Sequence, residues 1–256
     1  MELISAYDPW ILALLCLVGF IAGGINTVAG GGSNLTLPVL MMLGLPADVA
    51  NATNRVGVLL QCLVGVSGFD RHQALDRPAI KPILVPTLLG GAAGALIAAL
   101  IPGLYLKPLL LGTILTMSIV ILVKPGTIAP PAGSKVLSPR ENKAAWLGLF
   151  AAGVYGGFVQ AGVGFILLAA LAGGLRYDLL RANALKTVCA LAFTAVAMII
   201  FILFDQVMWV PGLVLAAGAM LGAHLAVKVA VNVPQSYLKW FLFVMTVAAC
   251  GAALFY

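Results

Sequence analysis

Apolar runs about 20 residues long recur from residue 9 to residue 255. Each is long enough to cross the ~30 Å hydrocarbon core of a bilayer as a helix. A single soluble core cannot bury so many. Composition agrees: 62% of the 256 residues are hydrophobic and 9% are charged, against about 45–50% and 25% in soluble domains. A soluble enzyme and a disordered chain are excluded, and an all-α polytopic membrane protein is expected. The 29 Gly and 14 Pro suit packed, interrupted membrane helices. The 14 Lys+Arg against 8 Asp+Glu, a net of +6, read as a positive-inside bias and not as a nucleic-acid surface.

The residues before Pro9 include Glu2 and Asp8 and no base. A secretory signal has a positive n-region, so the first segment is expected to be retained. Cys16, Cys62, Cys189 and Cys250 lie inside apolar runs without a CxxC pair. They read as free buried thiols, and no metal or other cofactor is expected.

The runs cover 9–29, 34–45, 49–68, 82–101 and 104–123, then 144–161, 165–174, 179–204, 207–227 and 236–255. Between them, 124–143 is rich in Pro, Gly and Ser and reads as a cytoplasmic linker. It divides one membrane domain into repeats 1–123 and 144–256. Each repeat is a long-plus-short broken element followed by three full spans. A shift of 132 residues carries Gly24, Ala29, Gly30 and Gly32 onto Gly156, Ala161, Gly162 and Gly164. It also carries Ala50-Asn51-Ala52 onto Ala182-Asn183-Ala184, and Asn54 onto Lys186. The coincidence of a glycine break with an Asn at one offset points to an internal duplication.

The bases choose between two layouts. If each broken element crosses once, they divide evenly between the faces. If each is a hairpin returning to its side of entry, Arg71, Arg77, Lys81, Lys124, Lys135, Arg140, Lys143, Arg176, Arg181, Lys228 and Lys239 share one face. Only Lys107 lies on the other, and Arg55 and Lys186 fall inside spans. Such a bias marks a cytoplasmic face. It selects hairpins, with both termini outside. Three full crossings per repeat then turn the second repeat upside down, the inverted-repeat plan of many secondary transporters.

Chemistry is expected at the breaks. Gly30-Gly31-Gly32-Ser33-Asn34 can end one helix and start another inside the membrane, with Ser33 or Asn34 as cap. A helix N-terminus there attracts anions, and Gly162-Val163-Gly164 offers the counterpart. Tight helix packing is the alternative role for these glycines. No Gly-Lys-Ser/Thr follows, so this is not a phosphate-binding Walker loop. Asn51, Thr53, Asn54 and Arg55, with Asn183, Lys186 and Thr187, put amides and cations near the starts of spans. Asn51 and Asn54 share a helix face, as do Asn183 and Lys186. Snorkelling to the interface is the alternative for the two bases.

All eight acids fall in loops or at helix ends, so the charge inside the membrane is positive and the substrate is expected to be an anion. Gln160 can add a donor beside the second break. His224 is the intramembrane group able to titrate near neutrality, hence a candidate for coupling to a proton. An intramembrane enzyme would need paired acids or a His-rich site. His72 and His224 are the only histidines, so no catalytic residue is assigned. A channel or passive subunit is the remaining alternative to a carrier.

Gly23-Gly24-Ile25-Asn26-Thr27-Val28-Ala29-Gly30-Gly31-Gly32-Ser33, then Pro38, then Leu45-Pro46-Ala47-Asp48-Val49-Ala50-Asn51-Ala52-Thr53-Asn54 resemble the first repeat of the TauE/SafE family. These are the sulfite exporter, or toluene-sulfonate uptake permease, proteins. Gly156-Gly157-Phe158-Val159-Gln160-Ala161-Gly162-Val163-Gly164 resembles the second-repeat element with a shifted glycine register, and Arg181-Ala182-Asn183-Ala184-Leu185-Lys186 is similar to the motif after it. The resemblance implies a multi-pass carrier of the bacterial inner membrane for sulfite, sulfoacetate or other organosulfonates. The residues then expected to bind the anion are Gly30, Gly31, Gly32, Ser33, Asn34, Asn51, Asn54, Arg55, Gln160, Gly162, Gly164, Asn183 and Lys186.

Overall fold

The computed structural model describes residues 8–28, 30–123 and 135–232. The apolar run 236–255, with Lys124, Lys239, Ala29 and Cys250, lies outside them. The described residues form helices and no strand: α1 (Pro9–Val28), α2 (Ser33–Met42), α3 (Ala47–Arg71), α4 (Arg77–Leu100), α5 (Gly103–Val123), α6 (Lys143–Phe158), α7 (Val163–Leu168, widening into π-helical turns over Ala169–Gly174), α8 (Leu179–Leu203) and α9 (Trp209–Asn232). Five of them, α1, α3, α4, α8 and α9, are long and apolar enough to cross a membrane. Local chemistry sets the ends. The side chains of Asn142 and Asp178 accept from the N–H groups of Ala145 and Arg181, capping α6 and α8. Left-handed residues follow several helices: Gly44, Gln73 and Asp205.

The shift of 132 residues seen in the sequence applies to the helices too. It carries α3, 47–71, onto 179–203 and α4, 77–100, onto 209–232, which are the bounds of α8 and α9.

Contacts give the course of the chain. Leu40 and Leu45, past the first break, join a cluster with Leu15 and Ile11 near the start of α1; α2 therefore runs back alongside α1. The second break does the same. Asn142 Nδ2, at the start of α6, donates to Gly174 O at 3.0 Å, and Leu137 N–H donates to Leu175 O at 2.9 Å. Phe69, Ala74, Ala184 and Val227 cluster at one end of the bundle. The ends of α3 and α9 and the start of α8 therefore lie together, close to Arg71, Arg77, Arg181 and Lys228.

Glycines decide which helices touch. Gly19 and Gly23 of α1 meet Leu215 and Ala219 of α9, while Gly218 and Gly222 of α9 meet Cys16 and Phe20 of α1. Gly90 and Gly94 of α4 meet Phe150 and Val154 of α6, while Gly153 and Gly157 of α6 meet Thr87 and Gly91 of α4. In each case a Cβ would collide with the facing backbone. Each helix carries its glycines four apart, the spacing that lets membrane helices approach closely without a hydrophobic driving force. The entry arm of each half thus packs on a span of the other half.

Candidate functional site

The two breaks meet. Gly164 N–H donates to Gly30 O at 3.3 Å, and a methyl on Gly30 would strike the Gly164 backbone. Gly30 has φ +91° and Gly162 has φ +74°, a region glycine enters at no steric cost. Gln160 adopts φ +69° without that freedom. A strained residue persists only where its surroundings over-determine it; here Arg55 and Thr194 both donate to its side-chain oxygen.

At this meeting point α2 and α7 begin while α1 and α6 end. Two positive dipole ends and two negative ones converge. The negative ends are capped by the two buried bases, each from the other half of the chain. Lys186 Nζ donates to Asn26 O and Thr27 O of α1, both at 3.1 Å, and to Asn183 Oδ1 at 2.9 Å. Arg55 Nη1 donates to Gly156 O of α6 at 2.5 Å and to Gln160 Oε1; its Nη2 donates to Gly157 O at 2.8 Å and to Asn51 Oδ1 at 3.4 Å. Asn51 Nδ2 completes the α6 cap through Phe158 O at 2.8 Å. The Phe201 ring lies 5.5 Å from the guanidinium carbon, within cation–π range.

An ammonium has three donors and a guanidinium five. Lys186 uses all three, and Arg55 uses the four on its terminal nitrogens, leaving Nε without a partner. Both side chains are buried, at 2% and 0% exposure. Snorkelling to the interface is therefore not what either base does. Among the described residues no Asp or Glu is buried. Two cations thus sit in the interior with carbonyl and amide dipoles and the Phe201 ring against them, and no carboxylate among the described residues.

Asn54 ties α2 to α3: its Oδ1 accepts from Thr36 Oγ1 at 2.6 Å and its Nδ2 donates to Ser33 Oγ at 3.0 Å. The cap expected from Ser33 or Asn34 does not form. Gly32 holds the N-cap position, and Ser33 and Asn34 fall one and two residues inside the helix, where Ser33 turns to Asn54. Asn34 is buried with neither amide atom partnered, and Gln160 Nε2 is likewise without a partner. Thr53 Oγ1 accepts from Met208 N–H at 3.0 Å and lines neither of the two adjoining cavities; Thr187 Oγ1 donates to Asn183 O at 2.8 Å, which engages its hydroxyl proton.

Two small cavities adjoin these groups. The first is lined by Gly32, Ser33, Thr36 and Asn54, the second by Gly30, Gly164, Gln160, Lys186 and Thr187. Asn26 and Gln61 line both. Each has room for about one water molecule. Asn51, Arg55 and Asn183 line neither and act behind the cavities, on the helix ends or on Lys186; Gly31, Asn34 and Gly162 line neither as well. His224 is exposed on α9 among exposed Leu221 and Leu225 and lines neither cavity. Sequence reasoning did not single out Gln61, Thr36 or Thr194. The available signal was Gln61 itself: it follows Asn54 by seven residues, two turns along the same face of an apolar helix.

Five apolar helices of spanning length make this a multi-pass membrane protein, and the broken, capped elements at its centre are the architecture of a membrane transporter. The family model described as "Sulfite exporter TauE/SafE" matches residues 15–253, and the chain belongs to that family. A Haemophilus influenzae protein named "Probable membrane transporter protein" is 30% identical over 241 residues, covering 92% of this chain and 91% of the relative. The relative in Sinorhizobium, with the same name and the suffix ORF9, is 25% identical over 93% of this chain and 90% of its own length. That in Escherichia coli, with the suffix YfcA, is 25% identical over 97% and 91%. No solved structure matches the chain.

Proposed function

We propose that the protein moves a small sulfur-containing oxyanion, such as sulfite or an organosulfonate, across the bacterial cytoplasmic membrane by alternating access. The observation that carries this reading is the pair of buried cations with no buried acid beside them among the described residues. A charge at the centre of a membrane helix costs roughly 2.5–3.5 kcal/mol on insertion scales. An anion that enters offsets that cost; a cation adds to it. The sulfur in the substrate rests on the family membership.

The anion sits where the breaks meet. The N-terminal ends of α2 and α7 face it, and the backbone after Gly30, Gly31, Gly32, Gly162 and Gly164 lets it approach closely. Ser33, Asn54 and the free Gln160 Nε2 supply donors from the cavity walls, with the unpartnered Asn34 amide behind them. Lys186 is the cation within reach, because it lines a cavity; Asn51, Arg55 and Asn183 position the walls. Since Lys186 has no spare donor, an arriving oxyanion takes the place of one of its acceptors and so loosens the end of α1. The two water-sized cavities support a carrier over an open pore.

The membrane layout belongs to the same proposal. The repeats 1–123 and 144–256, joined by the cytoplasmic linker 124–143, insert with opposite orientation. Each contributes a re-entrant hairpin and three spans. The antiparallel arms and the shared end of the basic loops support it. Single cysteines in the loops at 44–46 and 205–207 are expected to react with an impermeant reagent from outside, and those at 72–76 and 135–141 only from the cytoplasmic side. Reaction of both sets from one face would overturn the layout.

Transport is tested with purified protein in proteoliposomes. Uptake of radiolabelled sulfite, thiosulfate, sulfoacetate and taurine is measured with and without a pH gradient. Saturable uptake of at least one sulfur oxyanion, driven by an imposed gradient, is the expected result. Unsaturable current would indicate a pore, and no uptake of any of the four would overturn the substrate class.

A further inference from the structure

Asn26 and Gln61 are the two side chains that border both cavities. Asn26 stands in the last turn of α1, Gln61 in the middle of α3. Both are buried, at 9% and 3% exposure, and both are poorly partnered. The Asn26 amide makes no hydrogen bond among the described residues. Gln61 Nε2 donates to Cys62 Sγ at 3.7 Å, and a thiol sulfur is a weak acceptor. An amide in an apolar interior is costly unless hydrogen-bonded. The neutral polar side chains nearer the start of α3 obey that rule: Asn51, Thr53 and Asn54 each have a partner at 3.0 Å or less. Packing does not account for Gln61, where a Leu or Met would fill the same space without a polar atom.

The cavities differ in charge. The second holds the Lys186 ammonium; the first offers only the neutral Ser33, Thr36 and Asn54. An anion held by Lys186 needs donors to leave toward. A neutral amide donor binds an oxyanion more weakly than an ammonium does. A site that passes a ligand onward must be weak enough to release it.

We propose that Asn26 and Gln61 are substrate-contacting residues: the anion passes between their amides as it moves from the Lys186 cavity to the cavity lined by Asn54. This rests on the transport reading above and adds to it a path and two residues that set specificity for oxyanions. Asn26 has a second part, since its own carbonyl is an acceptor of Lys186; exchange at Lys186 frees the residue that next meets the anion.

The test uses Gln61→Met and Gln61→Asn in the full-length protein, reconstituted beside wild type. Gln61→Met is expected to lower the transport efficiency for the oxyanion at least tenfold. Its melting temperature in detergent stays at or above that of wild type, because a buried, poorly bonded amide is removed. Gln61→Asn, which keeps an amide, retains part of the activity. Wild-type efficiency in Gln61→Met overturns the proposal. So does a loss of transport that tracks a loss of melting temperature, in that variant or in Gln61→Ala if Gln61→Met misfolds. Failure of wild-type protein to carry any sulfur oxyanion is the separate failure of the transport reading, and this proposal falls with it.

Discussion

Replacing Lys186 by Gln will bring transport close to background while the protein still folds. The reason lies in two jobs that the structure assigns to one side chain. Lys186 caps Asn26 O and Thr27 O, and it brings a positive charge to a cavity. Glutamine has two amide protons, enough for the two carbonyls, and no charge. A hydrogen bond to a charged group contributes about 1.5–3 kcal/mol, so losing the charged donor weakens anion binding by roughly 10- to 150-fold. Lys186→Ala removes the caps as well, and it should lose transport together with melting temperature. Uptake in proteoliposomes and thermal melts in detergent separate the two. Wild-type uptake by Lys186→Gln would remove the charge from the mechanism.

Arg55→Ala has a different expected outcome: loss of the folded protein. Four acceptors rely on the guanidinium, namely Gly156 O, Gly157 O, Gln160 Oε1 and Asn51 Oδ1. A buried acceptor left without its donor costs about 1–3 kcal/mol. Asn51 and Thr194 keep some of the network, so the total is below the sum, yet about 3 kcal/mol or more is expected to go. Low yield of monodisperse protein on gel filtration, or a much lower melting temperature, would show it. Arg55→Lys keeps the charge and three donors and should fall between. Arg55→Ala with wild-type melting and reduced uptake would mean that Arg55 holds substrate and not the end of α6.

The contrast between these bases was not legible in the sequence. Both are lone cations near the start of a span, beside an Asn of matching offset, and both look like substrate ligands. What separates them is where the opposite half of the chain puts its helix ends. Arg55 faces the α6 carbonyls about a hundred residues away; Lys186 faces those of α1 about 160 residues away and a cavity as well. The pairings of α1 with α9 and of α4 with α6 are of the same kind. The glycines were visible, but which backbone each one admits is a long-range fact. The misplaced cap at Ser33 has a tertiary cause too. Rules for capping assume a hydroxyl free to turn back to its own helix, and here Asn54 engages it first.

Other features needed no structure. Apolar runs of spanning length, with all eight acids outside them, determined a polytopic helical membrane protein with a positive interior. Hydrocarbon leaves the backbone no choice but helix along such runs. Offset and charge counting led to the expectation of a duplicated chain with paired breaks, because spacing and loop charge are properties of the linear sequence. Tertiary structure alone decided that the breaks touch at Gly30 and Gly164, that each base caps the other half's entry helix, and that Asn26 and Gln61 stand between the two cavities. Those depend on the direction of helix ends and on close backbone approach between segments distant in sequence, which no local pattern encodes.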